Sequence, residues 1–315
     1  MKFYFAPMEG LTGYVYRNAH HAFFPKGIAK YFSPFIVANQ SDNFKTRELY
    51  DVLPDNNPGI VLIPQLLTNN ADDFIHTAKR LMQLGHDEIN LNLGCPAGTV
   101  VSKGRGAGFL AKREELDVFL ESVFSRSVAR ISIKTRVGKE RPEEFEALIE
   151  IFNKYPIKEL IIHPRIQKDL YRNKPNLEAF RAAFHQSKNP VCYNGDIFST
   201  GDCKSFSERF PNVDTVMLGR GLITNPGLIN ELLYNVKLEK KLLKSFHDKI
   251  YDDYKGILFG EKNVLYKMKE LWSYMILMFS DSAKRAKSIR KAQGFHDYNE
   301  AVACLFRDSD ILESR

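Results

Sequence analysis

Asn92 stands three residues before Cys95-Pro96 in the stretch NLNLGCPAGTVVSKGRGAGFL, residues 90–110. The thiol comes at the end of an apolar run and opens onto a polar, glycine-rich loop. Three chemistries suit such a stretch: an inert buried cysteine, a turn that wraps a dinucleotide, and a proton donor. Glycines 104, 106 and 108 are spaced G-x-G-x-G and follow a loop that begins at Cys95. The dinucleotide fingerprint needs a different spacing and a strand leading directly into a helix, so that reading is rejected. A thiol with its ordinary pKa of about 8.5 stays mostly protonated near neutral pH and can donate a proton. Cys95, Cys192, Cys203 and Cys304 form no Cys-x-x-Cys pair, so neither a zinc site nor a disulfide framework is expected.

The elements that must position these residues follow from the hydropathy pattern. Apolar, β-branched or aromatic runs occur at 3–8, 31–39, 59–67, 88–93, 129–137, 159–165, 190–196 and 214–220. Polar or amphipathic segments separate them, with helical patterns at 70–85 and 113–126. Eight such repeats point to the α/β class and to a (β/α)8 TIM barrel rather than an open doubly wound sheet. After 224–236, where Asn225 is expected to cap a helix with Pro226 at its first position, the strand signal stops. The expected organisation is a barrel domain over 1–238 and a small C-terminal helical domain over 239–315.

Barrels of this kind keep their chemistry at the C-terminal strand ends. There the sequence supplies Pro7 and Met8, Gln65, Asn92 with Cys95, Lys134 with Arg136, His163 with Arg165, Asn194-Gly195-Asp196 and Gly219-Arg220-Gly221. Polar groups at nearly every strand end are costly to bury unless they meet one another or a ligand. The last two clusters suit a phosphate held by the loops after strands seven and eight. Gln65 and Lys134 offer a neutral donor–acceptor and a cation to a flat heterocycle. A lysine near the N1–C2=O edge of a flavin would stabilise the anionic reduced ring, so FMN fits better than a phosphosugar.

The chain has 315 residues and a net charge of +7. From Lys237 to Arg315 it carries 16 Lys and Arg against 12 Asp and Glu, a surplus of +4. The segment KRAKSIRK, 284–291, holds Lys284, Arg285, Lys287, Arg290 and Lys291 without an acid. Such a segment is either a solvated helix face or a footprint for a phosphate backbone. The N-terminus does not read as a signal peptide, and WSYMILMF at 272–279 is too short to span a bilayer. A cytoplasmic protein without a membrane partner is expected, and a monomer.

APMEGLTGYVYR, NLNLGCPAGTVVSKGRGAGFL, IKTRVG, HPR followed by Tyr171, NGD and MLGRG, in this order, resemble the dihydrouridine synthases. These are FMN enzymes that reduce uridine in transfer RNA, and have a barrel followed by a helical RNA-binding domain. The most specific element of the match is Asn92-x-x-Cys95-Pro96 with its glycine-rich loop. The resemblance implies that FMN is held by Pro7, Met8, Gln65, Lys134 and His163. It places the FMN phosphate at Asn194, Gly195, Asp196, Gly219 and Arg220. It implies that Asn92 bonds the uracil, that Arg165 and Tyr171 contact the flipped base or its phosphate, and that Cys95 is the general acid. Reduced FMN would deliver hydride to uracil C6 and Cys95 a proton to C5, with NADPH as the electron donor. The target nucleotide must leave its stack, at a cost of roughly a few kcal/mol, which basic residues 284, 285, 287, 290 and 291 would offset on tRNA phosphates.

The sequence departs from the family pattern at Gly13, where an Asp is usual, and at Pro164 and Ile166, where Gly and Thr are expected. The second strand also lacks the usual Thr-Glu pair. These departures bear on the geometry around the substrate. Two other readings stand beside this one: an FMN reductase of a free pyrimidine, like dihydroorotate or dihydropyrimidine dehydrogenase, and a non-catalytic RNA-binding flavoprotein.

Overall fold

The computed structural model describes residues 1–312. Residues 313–315, the end of the expected helical domain, lie outside the described residues. Eight parallel strands close into a barrel in sequence order. They are β1 (Lys2–Phe5), β2 (Ile28–Val37), β3 (Leu62–Leu67), β4 (Glu88–Leu93), β5 (Arg130–Arg136), β6 (Leu160–His163), β7 (Val191–Tyr193) and β8 (Thr215–Leu218). Each lies within or across one of the eight apolar runs. Both faces of a barrel strand are covered, so most of these segments read as apolar runs, whereas β4 (EINLNL) and β5 (RISIKTR) alternate and bring polar side chains to one face.

The helices in chain order are α1 (Tyr14–Phe23), α2 (Thr46–Val52), α3 (Ala71–Gln83), α4 (Gly98–Val101), α5 (Arg113–Arg126), α6 (Glu144–Phe152) and α7 (Leu177–Gln186). They continue with α8 (Thr200–Arg209), α9 (Arg220–Thr224), α10 (Leu228–Tyr234), α11 (Lys240–Ile257), α12 (Glu261–Met275), α13 (Ser282–Lys291) and α14 (Phe295–Asp308). The chain forms two compact units. The first comprises Met1–Pro7, Ala29–Asp196 and Asn212–Met217; the second comprises Met8–Ile28, Ile197–Pro211 and the chain from Leu218 onward.

In the first unit, Tyr4, Ala6, Phe32, Ile63, Ile161, Cys192 and Met217 form one buried cluster. Cys192 is an apolar packing group there, and burial pushes its thiol well above the ordinary range. The β2–β3 register shifts between Phe32 and Phe35. Pro34 has no N–H for a ladder, and at this irregularity the Ser33 hydroxyl accepts the Gln65 N–H at 3.1 Å. The break thus seats Gln65 with its backbone donor satisfied inside the barrel.

In the second unit, α1 and α11 pack through aromatic rings. Phe246 meets Tyr16, Phe23 and Phe24 at centroid separations of 5.6, 5.8 and 5.6 Å. Each such side chain contributes roughly 1.5–3 kcal/mol when fully buried. A second core forms around Tyr298, whose hydroxyl lies 2.8 Å from both His247 Nε2 and Trp272 Nε1. On α12, Lys267 Nζ donates to the Gly10 carbonyl at 2.7 Å, holding the loop between β1 and α1.

The expected helix at 224–236 needs one correction. Helix α10 starts at Leu228, with Gly227 preceding it. Asn225 is not the cap: its Oδ1 accepts the Gly227 N–H at 3.0 Å, and its Nδ2 donates to Glu231 at 2.9 Å. The residue folds a turn ahead of the helix, which the same side-chain chemistry serves equally well.

Candidate active site

Asn90 and Asn92 are two residues apart on β4 and therefore share a face. Gln65 on β3 pairs with Asn90, Ser132 on β5 pairs with Asn90, and Lys134 pairs with Asn92. Asn92 Oδ1 accepts the backbone N–H groups of Gly94 and Cys95, at 3.0 and 2.9 Å. That fixes its amide orientation, and Nδ2 donates to Gln65 Oε1 at 2.7 Å. Gln65 Nε2 then donates to Asn90 Oδ1 at 2.7 Å, and Asn90 Nδ2 to the Ser132 hydroxyl at 3.0 Å. A chain of amides so runs from the barrel interior to the cysteine. Each amide nitrogen carries two donors, so Gln65 and Asn92 each keep one N–H outside this chain.

Cys95 is half-buried and lies outside any disulfide. Its carbonyl accepts the Ala107 N–H at 3.1 Å. Gly106 makes that contact possible: its φ is +55°, and a Cβ there would stand 2.8 Å from the Cys95 carbonyl oxygen. A Cβ on Gly108 would stand 2.7 Å from the Val101 carbonyl oxygen. The glycine run therefore folds the loop tightly back on the cysteine segment.

Lys134 is half-buried, and among the described residues its ammonium has neither a hydrogen bond nor an ion pair. Burial, with the charge of Arg136 adding to it, pulls its pKa down to about 8. His163 is buried and held well below its ordinary pKa by burial and by the cations Lys134, Arg136 and Arg165. Its Nδ1 lies 2.5 Å from the Asn194 carbonyl and its Nε2 lies 3.3 Å from Arg165 Nη1. A neutral ring with the proton on Nδ1 satisfies both contacts, donating to the carbonyl and accepting from the guanidinium.

Arg165 is 2 % exposed. Its Nη1 and Nη2 donate to the two carboxylate oxygens of Asp196 at 2.9 and 2.5 Å, and its Nε donates to the Asn173 carbonyl at 2.5 Å. Asn194 Nδ2 donates to the Met217 carbonyl at 2.8 Å, tying the end of β7 to β8. Gly195 has no room for a side chain, since a Cβ would fall 1.9 Å from the Tyr193 hydroxyl. Tyr171 is exposed, with its ring centroid 6.1 Å from that of His163 and 5.5 Å from the Arg136 guanidinium carbon.

The first unit thus gathers Gln65, Asn92, Cys95, Lys134, His163, Asn194 and Asp196 at its C-terminal strand ends, with Pro7 after β1. Asn90 and Gln167 take part in this arrangement without having been expected to, and so does Arg136, which the sequence offered at a strand end without a specific contact. Arg136 donates to the carbonyls of Gly94, Ile166 and Leu170 at 3.0, 2.8 and 2.8 Å. Asn90 carried a signal, the N-x-N spacing with Asn92, whereas Gln167 lies in an aperiodic loop and carried none.

The other expected site residues belong to the second unit. The Met8 N–H donates to Thr12 Oγ1 at 2.8 Å, and Gly219 precedes α9. The guanidinium of Arg220 lies 5.4 Å from the Phe198 ring centroid. On α13, Ile289 is the buried residue. At about 100° per residue, Lys284, Lys287 and Lys291 fall within one narrow arc, Arg290 borders it, and Arg285 turns toward the Ile289 side. Lys284, Lys287, Arg290 and Lys291 are exposed and make no ion pair among the described residues. Arg285 is half-buried and pairs with Asp308 at 3.0 Å.

This arrangement belongs to the (β/α)8-barrel proteins that assemble their polar side chains at the C-terminal strand ends. Solved barrels share the fold: histamine dehydrogenase from Rhizobium sp. 4-9 superimposes with a TM-score of 0.56 at 11% identity, covering 78% of this chain and 46% of that one. Morphinone reductase gives a TM-score of 0.52 at 12% identity, over 76% and 87% of the two chains. The dihydrouridine synthase (Dus) family matches residues 4–308, and the chain belongs to that family. Among its relatives, tRNA-dihydrouridine synthase B of Shewanella oneidensis is 25% identical over 278 residues, 82% of this chain and 84% of the relative. The probable tRNA-dihydrouridine synthase 1 of Synechocystis sp. is 23% identical over 241 residues, 75% of this chain and 65% of the relative.

Proposed function

We propose that this protein reduces uridine to 5,6-dihydrouridine in tRNA, with FMN as its bound cofactor and NADPH as its reductant. Family membership sets the reaction class, and one feature of the site carries the assignment of roles. The Cys95 segment is fixed by Asn92 beside a lysine whose ammonium has no hydrogen bond or ion pair among the described residues. A half-buried ammonium that meets no counter-charge among the described residues fits an anionic planar cofactor. Gln65, Lys134 and His163 would border its ring, and the Asn194–Asp196 turn would meet its phosphate. Reduced FMN supplies hydride for uracil C6 when bound.

The chain's own groups do the remaining work. Cys95 holds the proton for C5 on Sγ and releases it as charge develops on the pyrimidine. The remaining N–H of Asn92 is available to the uracil. Lys134, with its pKa brought near 8, gains its full charge when an anion comes to lie beside it. His163, kept neutral, adds no competing charge. Incubation of flavin-loaded protein with unmodified tRNA and NADPH should yield dihydrouridine by nucleoside mass spectrometry. Product with free uridine or another free pyrimidine, and none with RNA, would transfer the protein to the free-pyrimidine reading.

The face of α13 is proposed to bind tRNA phosphates. Replacing Lys284, Lys287, Arg290 and Lys291 together by Gln should weaken tRNA binding and lower the slope of log K against log salt by about 3. Arg285→Gln alone should leave that slope unchanged, because Arg285 is engaged with Asp308. Equal slopes for the fourfold variant and the parent would return α13 to a merely solvated helix face.

A further inference from the structure

The segment Gly94-Cys95-Pro96 has five backbone polar atoms, since proline lacks an N–H. All five are engaged. Asn92 Oδ1 takes the Gly94 and Cys95 N–H groups, and the Ala107 N–H meets the Cys95 carbonyl. The two flanking carbonyls are held by side chains from elsewhere. Arg136 Nε donates to Gly94 O at 3.0 Å, and Gln167 Nε2 donates to Pro96 O at 3.0 Å across 71 positions of sequence.

Both of these donors lead to one place, the loop between β6 and α7. Gln167 is part of it, and Arg136 holds it through the Ile166 and Leu170 carbonyls. Leu170 has φ +50°, a conformation that a branched side chain rarely adopts. Its carbonyl is pinned by Arg136 immediately before Tyr171. The loop is also closed on itself, with Asp169 Oδ2 accepting the Ile166 N–H at 3.0 Å.

We propose that Gln167 and Arg136 are positioning residues that lock the cysteine segment to the loop carrying Tyr171. Through them the aim of the Cys95 thiol depends on how that loop stands. The role deepens the proposed function and rests on Cys95 being the proton donor. Arg165, also on this loop, is engaged with Asp196, so the loop is held on one side by that pair and on the other meets the Cys95 segment through Gln167.

Gln167 gives the cleaner test, because it is half-buried and its bond to Pro96 O is a single neutral contact. Gln167→Glu keeps the size of the side chain and replaces its donor by an acceptor facing a carbonyl; Gln167→Ala removes both. Each variant should lower kcat roughly five- to tenfold, the worth of one positioning hydrogen bond. KM for tRNA and flavin content should stay at parental values. Peptide-resolved alkylation of Cys95 by iodoacetamide, measured on flavin-free protein, should change in rate in both variants. Parental turnover and parental alkylation in Gln167→Glu would overturn the proposal. A raised KM with parental kcat would overturn it as well, making Gln167 a substrate contact. If the parent protein forms no dihydrouridine, the functional reading fails, and the alkylation comparison still decides whether Gln167 aims the thiol.

Discussion

Cys95→Ala is expected to slow dihydrouridine formation by about 10²–10⁴-fold, the usual worth of a positioned general acid. The structure makes this a clean substitution. The Cys95 segment is held through its backbone, by Asn92, Ala107, Arg136 and Gln167, and none of those bonds uses the thiol. The loop should therefore stay in place when the sulfur is removed. Flavin content and tRNA affinity should remain parental, because Lys134, His163 and the α13 cations are untouched. The measurement is a single turnover of reduced flavoprotein with tRNA, following dihydrouridine by mass spectrometry. Parental turnover by Cys95→Ala would remove the cysteine from the reaction and leave the proton to another donor. A loss of flavin together with activity would give Cys95 a structural role instead.

The sequence was a good guide to the elements because the barrel imposes simple rules. A strand covered on both faces is mostly apolar, and the eight runs announced themselves in that way, with β4 and β5 marked by alternating polar residues as well. Helix ends were less legible. Asn225 chose a turn over a cap, and local chemistry permits both. The strand-end residues were legible because a polar group at the mouth needs a reason to be there. Asn90, mid-strand and with no exposure at all, was marked only by its N-x-N spacing with Asn92, because polar side chains are rare in such positions. Only its bonds to Gln65 and Ser132, from neighbouring strands, make it affordable. Gln167 and the packing of α1 on α11 were invisible for a different reason. Each depends on partners 71 or more than two hundred positions away, which periodicity and turn chemistry do not encode.

Arg165 illustrates how burial decides between roles that a sequence leaves level. The family resemblance implied that it contacts the flipped base or its phosphate. In the fold it donates to Asp196 twice, to Asn173 and to His163 from a nearly sealed position. Removing Arg165 leaves the half-buried Asp196 carboxylate without its partner but still partly in water, at a cost of roughly 1–3 kcal/mol. Arg165→Met should therefore lower the thermal midpoint by roughly 5 °C. The double variant Arg165→Met with Asp196→Leu should recover much of that loss, because it removes the orphaned carboxylate along with its partner. A substrate-contact role predicts the opposite pattern: an unchanged midpoint in Arg165→Met, a weaker affinity for tRNA, and no rescue by the second substitution. Calorimetry on the parent and the two variants separates these outcomes before any activity is measured. A parental midpoint in Arg165→Met would mean that the Arg165–Asp196 pair is dispensable to the fold and that both side chains are held in place for a ligand.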